Sequence, residues 1–231
     1  SWRHSARSLE TNVRGTQFLL EAISSARLST RVLIPGSALV YQPSTHAIAE
    51  DHPIGPVSPY GLSKLAQEML GKKCADSGFA ILLTRSFTHF GPGQNQSYAV
   101  SSFANQIAKI EANETPPIIS VGSLEALRDL TDVRDTVDAY QALMARGVSG
   151  RLYNVCSGHA HRMSDVLEAL LGQTDVDVTV RIDSDHLRPH DNDLLLGDPS
   201  RIKSEVGWYA KTKLEDTLRD TLNYWRGVVR L

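Results

Sequence analysis

The chain has 231 residues, 41% apolar and 22% charged, enough for one ample core or two modest ones and unlike disordered or collagen-like chains. With 24 basic against 26 acidic side chains the formal charge is −2, so neither a nucleic acid nor an anionic membrane is an expected partner. Cys74 and Cys156 show no CxxC spacing, which fits a reducing cytoplasm without disulfides. The apolar runs fall far below the ~20 residues of a membrane span, and the polar, basic start does not read as a secretory signal.

Apolar residues Leu9, Val13, Leu20 and Ile23 recur with Thr16 at helical spacing, which predicts an amphipathic helix over Ser8 to Ala26. A strand, Arg31 to Pro35, follows. The pattern then repeats: a helix over Tyr60 to Asp76, a strand over Ala80 to Phe87, a helix over Ser101 to Ala112 and a strand over Pro117 to Val121. Asp132 caps a helix carrying Val133, Val137, Tyr140 and Met144 on one face. Leu152 to Cys156 is the next strand, Ser164 starts a helix, and Val176 to Ile182 and Leu194 to Leu196 are extended. Helices near Ser200 to Val206 and Leu214 to Trp225 finish the chain. Strands separated by helices imply βαβ units in a mostly parallel sheet. Two loops, Gln42 to Pro59 and Arg85 to Ser97, follow strands, where open parallel sheets bind ligands.

Tyr60 and Lys64 lie four residues apart and project from one helical face, after a strand that ends at Ser37. An ammonium beside a phenol favours the phenolate and lowers its pKa, and a serine hydroxyl can hold a carbonyl oxygen while the phenol exchanges a proton with it. By spacing alone the two are equally an ordinary exposed helical pair. His159 with His161, and His186 with His190, lack a Cys or Glu at useful spacing, so no metal site is expected.

The motifs around this pair, in chain order, are Thr11-Asn-Val-Arg-Gly-Thr16, Gly36-Ser-Ala-Leu-Val-Tyr41, Ser58-Pro-Tyr-Gly-Leu-Ser-Lys64, Arg128-Asp-Leu-Thr-Asp-Val-Arg-Asp135, Arg188-Pro-His-Asp191 and Val206-Gly-Trp208. Over nearly its whole length the chain resembles the extended short-chain dehydrogenases/reductases, the NAD-dependent epimerase/dehydratase family. Phe87-Thr-His-Phe-Gly-Pro-Gly-Gln94 and Tyr153-Asn-Val-Cys-Ser-Gly158 look most like the branch of GDP-4-keto-6-deoxy-mannose reductases and GDP-mannose 4,6-dehydratases. The resemblance implies an α/β fold: the C-terminal part of a doubly wound, Rossmann-like parallel sheet with a small α/β substrate-binding lobe. Residues 1–90 would carry the remainder of the Rossmann-like domain. Residues 91–231 would form mainly the nucleotide-sugar lobe, with 117–158 partly returning to the sheet.

Carried over by motif, Tyr60 is the catalytic acid, Lys64 its pKa-lowering partner and a ligand of the nicotinamide ribose, and Ser37 the carbonyl-orienting hydroxyl. Asn12 and Phe87, with Tyr60 and Lys64, match positions that bind the NAD or NADP cofactor. Thr88, Val100, Ser102, Arg128 and Arg188 match substrate-binding positions, the arginines gripping a diphosphate with their planar forks. A cytoplasmic homodimer acting on a GDP-linked sugar is the implied whole, with reduction of a 4-keto-6-deoxy-hexose as its reaction. Epimerisation or 4,6-dehydration is the alternative within the class. Relatives that dehydrate place a carboxylate, and some that epimerise a Cys, where this chain has Ala38-Leu39. Thr88, Gln42 and Ser123 also depart from the family's usual Asn, Gly and Asn. No G-x-G-x-x-G turn is present, so about 75 to 80 residues of βαβ structure are expected to precede Ser8 in a complete enzyme. The alternative of another class is a truncated, catalytically silent remnant that binds sugar nucleotides.

Overall fold

The structure, a computed structural model, describes residues 5–183 and 193–230. Arg188, His186 and His190 lie outside them.

The first helix is interrupted. Ser5–Leu9 (α1) runs through a π-helical turn, Glu10–Arg14, into Gly15–Ser25 (α2). A π turn breaks the 3.6-residue period, so the buried stripe is Thr16, Leu20 and Ile23 while Leu9 is exposed, unlike the single stripe its spacing predicts. Arg31–Ser37 (β1) leads into a 3-10 turn, Ala38–Val40, and the long loop ends at Pro59–Asp76 (α3). Ala80–Ser86 (β2) follows, and Leu152–Val155 (β6) returns to it, giving a parallel sheet in the order β1-β2-β6. Gly71 lets α3 lie close on one face, because a Cβ there would sit 2.5 Å from Ile34 Cδ1 and 3.0 Å from Leu83 Cδ2. Val133–Arg146 (α5) and Ser200–Val206 (α7) cover the other face, where Leu82, Ala139, Leu143, Tyr153 and Ile202 are buried together.

A second sheet joins Thr88–Phe90 (β3), Leu127–Asp132 (β5), Ala160–Arg162 (β7) and Leu194–Leu195 (β9); β5 pairs parallel with β3 and β9 and antiparallel with β7. Ile118–Val121 (β4) and Thr179–Ile182 (β8) form a parallel pair. Ala99–Glu111 (α4), Met163–Leu171 (α6) and Leu214–Val229 (α8) close a core of Phe90, Phe103, Ile107, Val166, Leu170, Leu218 and Leu222.

The face of α5 differs from its expected one. Thr136, Ala139 and Leu143 point inward, while Val137 and Met144 are exposed.

The sheets are tied together by Asp129 of β5, which is fully buried. Its carboxylate accepts from the Ser157 and Gly158 main-chain N–H groups (2.8 and 2.9 Å), the Ser157 hydroxyl (2.7 Å) and Gly197 N–H (3.2 Å). Burial nevertheless raises its pKa against these bonds. Gly197 is held so close that a Cβ would lie 2.5 Å from Cys156 Sγ and 2.8 Å from the Phe87 ring. Gly197→Ala is therefore expected to destabilise the fold by about 1–3 kcal/mol through overpacking. A thermal midpoint equal to the wild type's would contradict that packing.

Candidate active site

Three local devices bring Ser37 and Tyr60 together. Ser58 caps α3, its hydroxyl accepting from Gly61 N–H at 3.1 Å, and Pro59 supplies the fixed φ of the first turn, so Tyr60 sits at the helix start. The Ser37 hydroxyl caps the 3-10 turn by accepting from Leu39 N–H at 3.2 Å. Gly61 has no side chain to keep the turn's Leu39 carbonyl away from α3. The outcome is a Tyr60 phenol brought close enough to the Ser37 hydroxyl for the serine to bear on its proton.

Lys64 lies one turn along α3. Its ammonium donates to Pro35 O (2.9 Å) and Gln67 Oε1 (3.0 Å) and stands 6.0 Å from the centroid of the Tyr60 ring. The Gln67 amide donates in turn to Thr16 Oγ1 at 2.8 Å. Asn12, inside the π turn, donates to Ser63 Oγ at 3.0 Å, and Ser63 Oγ donates to Tyr60 O at 2.8 Å. Ser63 lies within the Ser58–Lys64 motif without a role carried over, and Gln67 lies outside it, yet both fall at helical spacing from Tyr60 and Lys64, which is the signal that could have found them.

The electrostatics differ from those the spacing suggests. Burial is the largest influence on Tyr60 and pushes its pKa above the ordinary 10.0, aided by the phenols of Tyr98 and Tyr140 and opposed by the Ser37 hydroxyl. Burial likewise lowers the pKa of Lys64. The ammonium is directed at Pro35 and Gln67 rather than at the phenol, so it does not reverse the effect of burial. Tyr60 is therefore protonated at neutral pH, the state an acid needs.

The remaining expected site residues sit in three different settings. Phe87 is buried among Tyr41, Ile48, Cys156 and Leu195, which leaves main chain as what this strand end offers a ligand. Thr88 and Arg128 share one face of the β3–β5 pair, because Thr88 is the register partner of Leu130. Arg128 is half-buried and donates to Leu127 O at 2.9 Å. Val100 is in the core, so a ligand contact there would be to main chain; Ser102, two residues on, accepts from the Gln106 amide at 3.1 Å. Leu39, beside Ser37, is exposed and Ala38 is buried; neither has an ionisable group. Among the described residues, no three His, Cys, Asp or Glu side chains converge as for a metal, and no helix is long and apolar enough to cross a membrane. Both cysteines are free thiols.

Parallel strands whose carboxyl ends carry a serine, with a tyrosine and a lysine on the following helix, define a short-chain dehydrogenase/reductase. More closely, the chain belongs to the GDP-mannose 4,6 dehydratase family, whose family model matches residues 1–221. It is 32% identical to the GDP-6-deoxy-D-mannose reductase of Pseudomonas aeruginosa over 100% of this chain and 77% of that protein. A UDP-glucose 4-epimerase of Bacillus subtilis is 27% identical over 93% of this chain and 67% of its own length. The structure of RMD from Pseudomonas aeruginosa complexed with NADPH superposes with a TM-score of 0.93 at 31% identity, covering 98% of this chain and 76% of that one.

Proposed function

We propose that the chain is the catalytic and substrate-binding part of a cytoplasmic NAD(P)-dependent enzyme that reduces the 4-keto group of a GDP-linked 6-deoxy-hexose. The observation that carries reduction over dehydration is the uncharged Ala38-Leu39 turn beside an intact Ser37, Tyr60 and Lys64 set: a proton donor is present, and this turn carries no carboxylate to remove a sugar C5 proton. Residues 1–90 form the nicotinamide side in this reading, and 91–231 mainly the sugar-nucleotide side.

The nicotinamide end of the cofactor fits the residues present. A lysine ammonium has three N–H groups, and Lys64 uses two on Pro35 and Gln67, leaving one for a ribose hydroxyl. When bound, the cofactor supplies a hydride to the carbonyl carbon. Tyr60 gives its phenolic proton to the carbonyl oxygen, and Ser37 holds that oxygen in line. The phenolate left behind recovers its proton from solvent. Arg128 and Arg188 are assigned to the diphosphate, and Thr88, Val100 and Ser102 to the sugar and nucleoside contacts.

The test is incubation of the complete gene product with GDP-4-keto-6-deoxy-mannose and NADH or NADPH. Oxidation of one cofactor per sugar reduced is expected. Sugar inversion without net cofactor consumption would replace this reading with the epimerase one, and a protein that binds the sugar nucleotide but no dinucleotide would replace it with a silent remnant.

Assembly as a homodimer belongs to the same proposal. Phe18 of α2 is 54% exposed, and Leu62 and Met69 of α3 are 53% and 64% exposed. Apolar side chains gathered on two packed helices fit a self-complementary interface. Leu65, which spacing would group with them, instead packs against the cluster of Val40 and Tyr41. A dimer mass by light scattering, falling to the monomer's in Phe18→Glu/Met69→Glu, is the expected result; a concentration-independent monomer for the wild type would contradict it.

A further inference from the structure

Ser37 has a neighbour that the reaction as derived leaves unused. It is the register partner of Ser86, so the two serines end adjacent parallel strands side by side, about 4.8 Å apart. Strand alternation places Ser86 on the α5 face of the sheet, along with Leu82, and there its hydroxyl lies 2.7 Å from the phenolic oxygen of Tyr140. Tyr140 is half-buried, and its phenol is among the groups that bear on the Tyr60 proton, so the pair stands within electrostatic reach of the reacting centre.

Counting hydrogens shows what the pair can do. Two hydroxyls own two hydrogens, and their mutual bond uses one. Neither oxygen has a second partner among the described residues, so whichever residue donates, one O–H remains to be given away. A donor held at the end of β2, one strand over from the hydroxyls that grip the reacting oxygen, calls for an acceptor on the group lying against that oxygen's carbon. Nicotinamide carries such an acceptor: its carboxamide is on the ring carbon next to the one that delivers hydride. The strand order agrees, because Lys64 reaches back to Pro35 of β1, on the ribose side, while Ser86 lies on β2, further from β1's unpaired edge.

We propose that Ser86 and Tyr140 form the seat of the nicotinamide carboxamide, donating their spare O–H to its oxygen and so fixing the rotation of the ring over the end of the sheet. The inference rests on the proposed use of a nicotinamide cofactor. It assigns a binding role to Tyr140, a residue with no part in the reaction as derived above.

Calorimetric titration of the complete gene product tests it, using the reduced dinucleotide that the wild type prefers and its thionicotinamide analogue, in which sulfur replaces the carboxamide oxygen and accepts hydrogen bonds poorly. Ser86→Ala/Tyr140→Phe is expected to weaken binding of the natural dinucleotide by about 5- to 10-fold, the loss of one ordinary hydrogen bond. The analogue should change less than twofold, and so should GDP. The single Ser86→Ala, which keeps the phenol, should fall between wild type and double variant, and it carries the same comparison if the double variant does not fold. Equal weakening of dinucleotide and analogue, or a loss confined to GDP, would overturn the assignment. Wild-type protein that binds neither dinucleotide overturns the functional reading and this inference together; wild type that binds, with variants that match it, overturns this inference alone.

Discussion

Tyr60→Phe in the complete enzyme is expected to lower kcat by about a hundredfold or more, the usual contribution of a positioned proton donor, while dinucleotide affinity stays close to wild type. The substitution removes one oxygen from a first helical turn whose position is set by Ser58, Pro59 and Gly61, none of which depends on the phenol. Binding and folding should therefore survive the loss of chemistry. The pH dependence gives a second readout. Reduction needs the protonated phenol, so the wild-type rate should be flat through neutral pH and fall as pH rises through the Tyr60 pKa, which burial holds above 10.0. That alkaline limb should be absent from the phenylalanine variant. Steady-state oxidation of the reduced cofactor measures both, and a variant with near wild-type turnover would remove Tyr60 from the mechanism.

The parts of this site legible in the sequence are those set by local rules. Ser58 and Pro59 announce the start of α3, the spacing of Tyr60 and Lys64 puts both on one face, and the apolar run of β2 reads as a buried strand. What local rules miss is settled by tertiary partners. Leu127–Asp132 is too polar to read as a buried strand; it is one because Asp129 is met by Ser157, Gly158 and Gly197, and Asp132 by Arg134 and Thr217. The direction of the Lys64 ammonium depends on Pro35 O and Gln67, so spacing suggests a lowered phenol pKa where burial raises it. The pairing of Ser86 with Tyr140 joins residues 54 positions apart, and no motif encodes it.

The 231-residue chain alone is expected to bind NADH and NADPH at least a hundredfold more weakly than the complete enzyme. A dinucleotide is held largely through its pyrophosphate, received by main-chain N–H groups at a glycine-rich turn and helix start, and no such glycine pattern occurs among these residues. In the proposed reading Lys64, Tyr60 and the end of β2 would meet only the nicotinamide end. The sheet points the same way: β1 pairs with β2 alone, so its other edge is bare among the described residues, and beside it lies a groove of about 240 Å³ lined by Leu19, Leu20, Val32 and Ile34. A bare edge beside apolar side chains is a surface another strand and helix would cover, and left open it favours aggregation. In the relatives reported above, the matched stretch is 77% and 67% of the protein, which leaves room for such a unit. Calorimetric titration of the purified chain with each dinucleotide decides the point: micromolar binding of either would mean that these residues build a pyrophosphate site of their own, and the glycine-rich unit would lose its place in the account.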